Sequence, residues 1–212
     1  MGIHMEGVTF AYGERPVLRG VDLHVETGDS VGILGESGGG KSTLLKVLCG
    51  LYAPHGGLVE VQGARTPADI RCQVAVVLQS AMLFPGSIRD NVTCGHPMAE
   101  ERVLHACQAA QLGPWLATLP QGLDAPVGER GGQVSGGQAQ RIAIARAIAK
   151  DAPVVLLDEA TSALDGDTRA AVLEALARLT RGKTVVHMTH HAHVLVGCSR
   201  LYRLEGGRLR DA

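Results

Sequence analysis

Ser30-Val31-Gly32-Ile33-Leu34-Gly35-Glu36-Ser37-Gly38-Gly39-Gly40-Lys41-Ser42 couples an apolar five-residue run to a glycine-rich octet with the spacing G-x-x-x-x-G-K-S. Such an octet wraps backbone N–H groups around a polyphosphate when a strand delivers it and a helix leaves from it. The pattern predicts a buried strand over 30–34 and a helix over 42–48. Gly35, Gly38 and Gly40 let the backbone curl round phosphates with no Cβ in the way, and the helix N-terminus places partial positive charge beneath them. Lys41 adds a full charge for the β and γ phosphates, and the Ser42 hydroxyl is a Mg²⁺ ligand candidate. Glu36, Ser37, Gly39 and Thr43 complete the candidate nucleotide contacts.

At 212 residues the chain is long enough to bury a substantial core. A formal net charge of −1 offers no basic field, and 3% aromatic residues leave few stacking surfaces, so nucleic acid is not an expected partner. No apolar run approaches the roughly eighteen residues a membrane span needs, and no basic segment followed by an apolar one opens the chain. The expectation is a soluble, non-secreted chain. Cys49, Cys72, Cys94, Cys107 and Cys198 are odd in number and never in C-x-x-C spacing, so they read as reduced thiols rather than disulfides or zinc ligands.

Three regions follow along the chain. Residues 1 to about 65 hold short alternating stretches such as Val21-Asp22-Leu23-His24-Val25 and Leu58-Val59-Glu60-Val61, which predict antiparallel strands around the phosphate loop. From about 83 to 150 the period turns helical, with one helix over 99–112 and another over 138–150 that sets Ile142, Ala145 and Ala149 on one face and Ile144 and Ile148 on the next. Val154-Val155-Leu156-Leu157 and Thr184-Val185-Val186-His187-Met188 flank a third helix over about 167–179 and read as strands buried in a parallel sheet. The first of these delivers Asp158 and Glu159 to its carboxyl end, where α/β sheets place ligands. Asp158 suits the Mg²⁺ shell with Ser42. Glu159, on the opposite side of the strand, suits a general base that polarises water; its alternative role is capping the next turn.

In order and spacing these motifs resemble the nucleotide-binding domain of an ATP-binding cassette (ABC) transporter, over nearly the whole chain. The resemblance implies an α/β fold with a P-loop NTPase core on a mostly parallel sheet, an antiparallel β subdomain and a helical subdomain. It implies one domain over 1–212, with about 1–82 and 151–212 as core and β subdomain and about 83–150 as the helical subdomain. ATP and Mg²⁺ are the implied ligands, ATP hydrolysis coupled to transport the implied activity, and the cytoplasmic side of the cell membrane the implied place. By the same resemblance Tyr12 stacks on adenine, Gln79 senses Mg²⁺ and the attacking water, and His190 contacts the γ-phosphate. Ser135, Gly136, Gly137 and Gln138 match the family signature, with Val134 where leucine is usual, and Ser162-Ala163-Leu164-Asp165 matches the D-loop, bringing Asp165 to the nucleotide. His187, His191 and His193 surround His190, and strand alternation is expected to scatter their side chains.

The signature precedes a helix, so bare N–H groups and a positive helix end face outward toward an anion. In the family that anion is the γ-phosphate held by a second nucleotide-binding domain, in a homo- or heterodimer. Leu83-Phe84-Pro85-Gly86-Ser87-Ile88-Arg89-Asp90-Asn91-Val92 and Val127-Gly128-Glu129-Arg130-Gly131 resemble exporter segments that face a transmembrane domain. Export is therefore the implied direction, with an importer ATPase subunit or a non-transport ABC ATPase as alternatives and a P-loop small-molecule kinase further off. The stretch over 63–79 is shorter than usual, a family C-terminal helix is missing, and the opening Met1-Gly2-Ile3-His4-Met5 reads as an added leader on a domain excised from a longer exporter, or on a separate subunit.

Overall fold

The computed structural model describes residues 1–160 and 166–212. Residues 162–165, Asp165 among them, thus lie outside the described residues. Two units emerge: Met1–Val76 with Ala152–Glu159 and Gly182–Ala212, and Val77–Asp151 with Ala160–Arg181.

The first unit carries two sheets. β1 (Ile3–Tyr12), β2 (Arg15–Val25) and, after β3 (Ser30–Leu34) and α1 (Lys41–Leu48), β4 (Gly56–Val61) form an antiparallel sheet in the order β2-β1-β4. Along β1 the buried residues are Ile3, Met5, Val8 and Phe10. The skipped beat is a register shift between Met5 and Val8, where Gly7 turns left-handed at φ 56°. Ile3 and Met5 are 0% and 2% exposed and pair with Val25 and Leu23 on one side and Val61 and Val59 on the other. Ile3 and Met5 are therefore part of the first sheet's core.

α2 (Pro67–Gln73) leads into β5 (Val74–Val77). β6 (Val154–Asp158), β7 (Thr184–Thr189), β8 (Arg200–Glu205) and β9 (Arg208–Asp211) join β3 and β5 in a six-stranded sheet ordered β5-β6-β7-β3-β8-β9. β6, β7, β3 and β8 run parallel, and β9 returns antiparallel to β8. Val154, Val155, Leu156, Val185 and Val186 are at most 2% exposed, as apolar runs in covered parallel strands require. Leu34 pairs with Thr189 and Asp158 with Met188, so the carboxyl ends of β3, β6 and β7 share one edge. From that edge α1 departs and packs against β2 and β6, with Leu44 and Leu48 fully buried. Each such side chain contributes roughly 1.5–3 kcal/mol by leaving water.

The second unit is helical. It holds α3 (Ile88–Thr93), α4 (Glu100–Ala109), α5 (Gly113–Leu116), α6 (Gly136–Lys150) and α7 (Gly166–Thr180). The helix predicted over 99–112 stops at Ala109 because Gln111 turns left-handed, at φ 59°, and its carbonyl accepts from Arg141 at 2.8 Å. α6 is the hub, packed against α3, α4 and α7. Ile142, Ala143, Ile144, Ala145, Ala147 and Ala149 are all buried, so small and apolar residues circle the helix instead of forming one stripe.

Candidate functional site

Between β3 and α1 the loop Gly35 to Gly40 closes on itself through Gly39 N–H donating to the Glu36 carbonyl at 3.0 Å. Gly38 and Gly40 take φ of 80° and 102°, and a Cβ on Gly40 would stand 3.3 Å from Val17 Cγ1. The left-handed φ favours glycine at position 40, and a Cβ there would also crowd Val17. α1 opens without a side-chain cap or an acidic residue in its first turn, leaving its first N–H groups for an anion. Lys41 is 7% exposed, and its Nζ donates to the Gly35 carbonyl at 2.6 Å and the Glu36 carbonyl at 3.0 Å. The ammonium is thus seated in the loop by neutral acceptors. A cleft of about 470 Å³ lies between the loop residues Glu36 to Gly39 and Arg15, Val17 and Arg19 of β2. A second, of about 240 Å³, is lined by Gly35, Glu36, His190 and Arg203.

Tyr12 stands at the end of β1, 44% exposed, with its hydroxyl 3.4 Å from Thr43 Oγ1. That contact is the main cause of a lowered Tyr12 pKa. Its ring meets Phe10 edge-on at 5.1 Å and Tyr52 edge-on at 6.0 Å, while Phe10 stacks on Tyr52 at 5.2 Å and on His55 at 4.9 Å. Sequence reasoning missed this support. Only Phe10 had a local signal, two positions before Tyr12 on the same strand face.

Asp158 ends β6, and its carboxyl is pushed up first by burial and then by the Glu159 charge, with Lys41 pulling it back down. Glu159 departs from the expected alternation: the strand has ended, and Glu159 turns left-handed at φ 47°. Its N–H donates to the Met188 carbonyl at 2.9 Å, and its Oε1 lies 2.6 Å from His190 Nδ1. His190 and His191 follow the end of β7, and their rings come within 3.7 Å, so alternation does not separate them as expected. Tyr12 thus meets Thr43 of α1, Lys41 of the same helix acts on Asp158 through its charge, and Asp158, Glu159 and His190 are linked in turn. The Ser42 hydroxyl and the Asp158 carboxylate are hard oxygen donors, a chemistry that suits Mg²⁺.

Gln79 and Ser135 to Gln138 belong to the second unit. Gln79 is exposed just past β5. Ser135 caps α6 in a reciprocal box: its Oγ accepts from Gln138 N–H at 3.2 Å, and Gln138 Oε1 accepts from Ser135 N–H at 2.8 Å. Gly136 is exposed, with open space where a Cβ would sit. Gln140, absent from the sequence reading, is 3% exposed, and its Nε2 donates to the Leu78 carbonyl at 3.0 Å and the Ala160 carbonyl at 3.2 Å. In the segments read as facing a membrane partner, Phe84 is 49% exposed and Glu129 is exposed, and Met82, just before the first segment, is 66% exposed. Arg146 holds the first of them through the Met82 carbonyl at 3.0 Å and the Asn91 carbonyl at 2.7 Å, with its guanidinium over the Phe84 ring.

A family model described as ABC transporter matches residues 18–162. The chain is 42% identical over 212 residues to the mycobactin import ATP-binding/permease protein IrtB of Mycolicibacterium smegmatis, covering 98% of this chain and 37% of that protein. It is 40% identical over 220 residues to the ATP-dependent lipid A-core flippase of Ralstonia nicotianae, covering 99% and 37%. A bacterial Atm1-family ABC exporter with ATP bound superposes with a TM-score of 0.89 at 33% identity, over 99% of this chain and 38% of that one. The chain thus spans a little over a third of the length of these relatives.

Proposed function

The chain belongs to the ABC transporter family as its ATP-hydrolysing domain, and we propose that it powers export through a transmembrane partner on the cytoplasmic side of a membrane by binding and splitting ATP at the β3–α1 loop. The linked groups Tyr12–Thr43, Lys41–Asp158 and Glu159–His190 carry this reading. Tyr12 stacks on the adenine, backed by Phe10 and Tyr52. The loop N–H groups take the phosphates, and Lys41 exchanges the Gly35 and Glu36 carbonyls for phosphate oxygens. Ser42 and Asp158 hold Mg²⁺, with Gln79 keeping the part its resemblance implies. Mg²⁺, when bound with ATP, offsets the charge that builds on the transferred group. Glu159 takes the proton of the attacking water as the new O–P bond forms and ADP leaves, and His190 holds the carboxylate from its far oxygen.

Ser135 Oγ accepts from Gln138 N–H, and its hydroxyl proton and the Gly136 and Gly137 N–H groups meet an anion. That anion is the γ-phosphate on the loop of a second nucleotide-binding domain, and the part of Asp165 at the nucleotide is the one its resemblance implies. Met82, Phe84 and Glu129 face the transmembrane partner.

Import is a second reading, favoured by one observation: a relative 42% identical over nearly all of this chain is named a mycobactin import protein. Phosphate release from Mg·ATP, lost in Lys41→Ala, tests the ATPase assignment. The surrounding reading frame tests the route: membrane spans in frame are expected, and a separate permease beside a binding-protein gene would overturn export.

A further inference from the structure

Gln140 lies a little more than a turn below Ser135 on α6, buried, with both hydrogens of its amide committed to main-chain carbonyls of Leu78 and Ala160. Nothing in the reaction as described uses it. Leu78 is the residue before Gln79, and Ala160 is the residue after Glu159. A primary amide is the side-chain group that fits this position. Two carbonyls need two donors on one nitrogen, a carboxylate of the same size would set lone pairs against lone pairs, and a thioether would leave both carbonyls unmet in the interior. Glu159 has a further need of a hold on its far side. A residue with a Cβ sits at φ 47° at a cost and stays there only where its surroundings over-determine it. The Met188 carbonyl fixes the Glu159 amide, and Gln140 holds the carbonyl of Ala160, the residue next to Glu159.

We propose that Gln140 is a positioning residue for ATP hydrolysis: its amide ties the carbonyls of Leu78 and Ala160, the chain neighbours of Gln79 and Glu159, to α6, so the placement of both depends on the helix that Ser135 caps. This rests on the proposed roles of Glu159 and Gln79. α6 is a continuous helix from Gly136 to Lys150, so a displacement of its capped end by an anion is carried to Gln140 through the helix's own hydrogen bonds.

The test is steady-state ATP hydrolysis by the intact protein carrying Q140M, alone and combined with Q79A and with E159Q, beside the melting temperature of each. Q140M alone should lower kcat at least about tenfold with KM for ATP changed less than about threefold, and should cost under about twofold more in the Q79A and E159Q backgrounds. A purely structural Gln140 predicts the same factor in every background, and that additivity, or an unchanged kcat in folded Q140M, overturns the proposal. Q140E, which keeps the size, and Q140N, which keeps the amide, are read by the same criteria. Loss of fold in all three variants assigns Gln140 to structure alone and also overturns it. Wild-type turnover in E159Q sinks the underlying reading instead, whereas a crippled E159Q with additive Q140M removes only the role of Gln140.

Discussion

His190 Nδ1 lies 2.6 Å from Glu159 Oε1, and the two residues reach each other from just past the ends of the neighbouring parallel strands β7 and β6. The same pair of strand ends is stitched once more, by Glu159 N–H on the Met188 carbonyl. One carboxylate oxygen is thereby oriented by the histidine. The Glu159 side chain is only 12% exposed, so an attacking water would be held in a restricted volume.

Glu159→Gln keeps the size of that side chain and removes its basicity. It should bind Mg·ATP nearly as the wild type does and turn it over at least about a hundredfold more slowly, within the 10²–10⁴ range for loss of a general base. Single-turnover hydrolysis and nucleotide titration measure the two halves separately. Wild-type turnover would remove Glu159 from the base's role.

Lys41→Ala should abolish binding or turnover, because the loop's other groups within reach of the seated ammonium are the neutral Gly35 and Glu36 carbonyls. Tyr12→Ala should weaken ATP and GTP alike, by about 1–3 kcal/mol, since a ring reads a π-face and not base edges. Calorimetric titration with both nucleotides checks it. A loss for ATP with GTP untouched would argue against stacking.

Asp158 sets a pH dependence. Its carboxyl is pushed above the ordinary value, chiefly by burial, so over the window from about pH 3.9 up to the raised pKa the folded chain holds a proton that the unfolded chain has released. Stability of the nucleotide-free protein therefore falls as pH rises through that window, and below it the two states bind the proton alike. Asp158→Asn should melt at a higher temperature than wild type near neutral pH, with the gap closing on acidification, while Mg²⁺-dependent turnover is lost. A variant that melts lower at neutral pH would contradict the burial argument.

The phosphate loop, the strand that delivers Asp158 and the antiparallel stretches were legible because each is a local pattern: a fixed spacing, an apolar run, an alternation. What escaped was set by partners distant in sequence. Phe10, Tyr52 and His55 stack only once β1 and the chain after α1 have met. Gln140 reads as one more polar residue in a helical period until Leu78 and Ala160 arrive at its amide. Glu159 was placed by strand alternation, yet the strand ends one residue earlier and a left-handed turn re-aims the side chain. The burial of Ile3 and Met5 was not legible at the start of the chain because their cover comes from β2 and β4.

Assembly follows from the cap of α6. With Ser135 Oγ and Gln138 Oε1 occupied by each other's N–H groups, the cap is rigid before any anion arrives, and a phosphate meets preset donors instead of ordering them. For the 212-residue chain by itself, dimerisation then rests on nucleotide at the interface, and much of each ATP's binding energy goes into holding two free bodies together. The chain should be monomeric without nucleotide and with ADP. In Mg·ATP, Glu159→Gln should sediment as a dimer, because the γ-phosphate persists between the β3–α1 loop of one copy and the Ser135 turn of the other. Adding Ser135→Arg puts bulk and charge where N–H groups should meet phosphate and removes a cap worth roughly 0.5–2 kcal/mol, so its melting temperature is measured alongside. The double variant should stay folded, bind ATP through Lys41 and Tyr12, and remain monomeric. A Glu159→Gln protein that stays monomeric at high micromolar concentration, or a folded double variant that still dimerises, would remove the Ser135 turn from the mechanism.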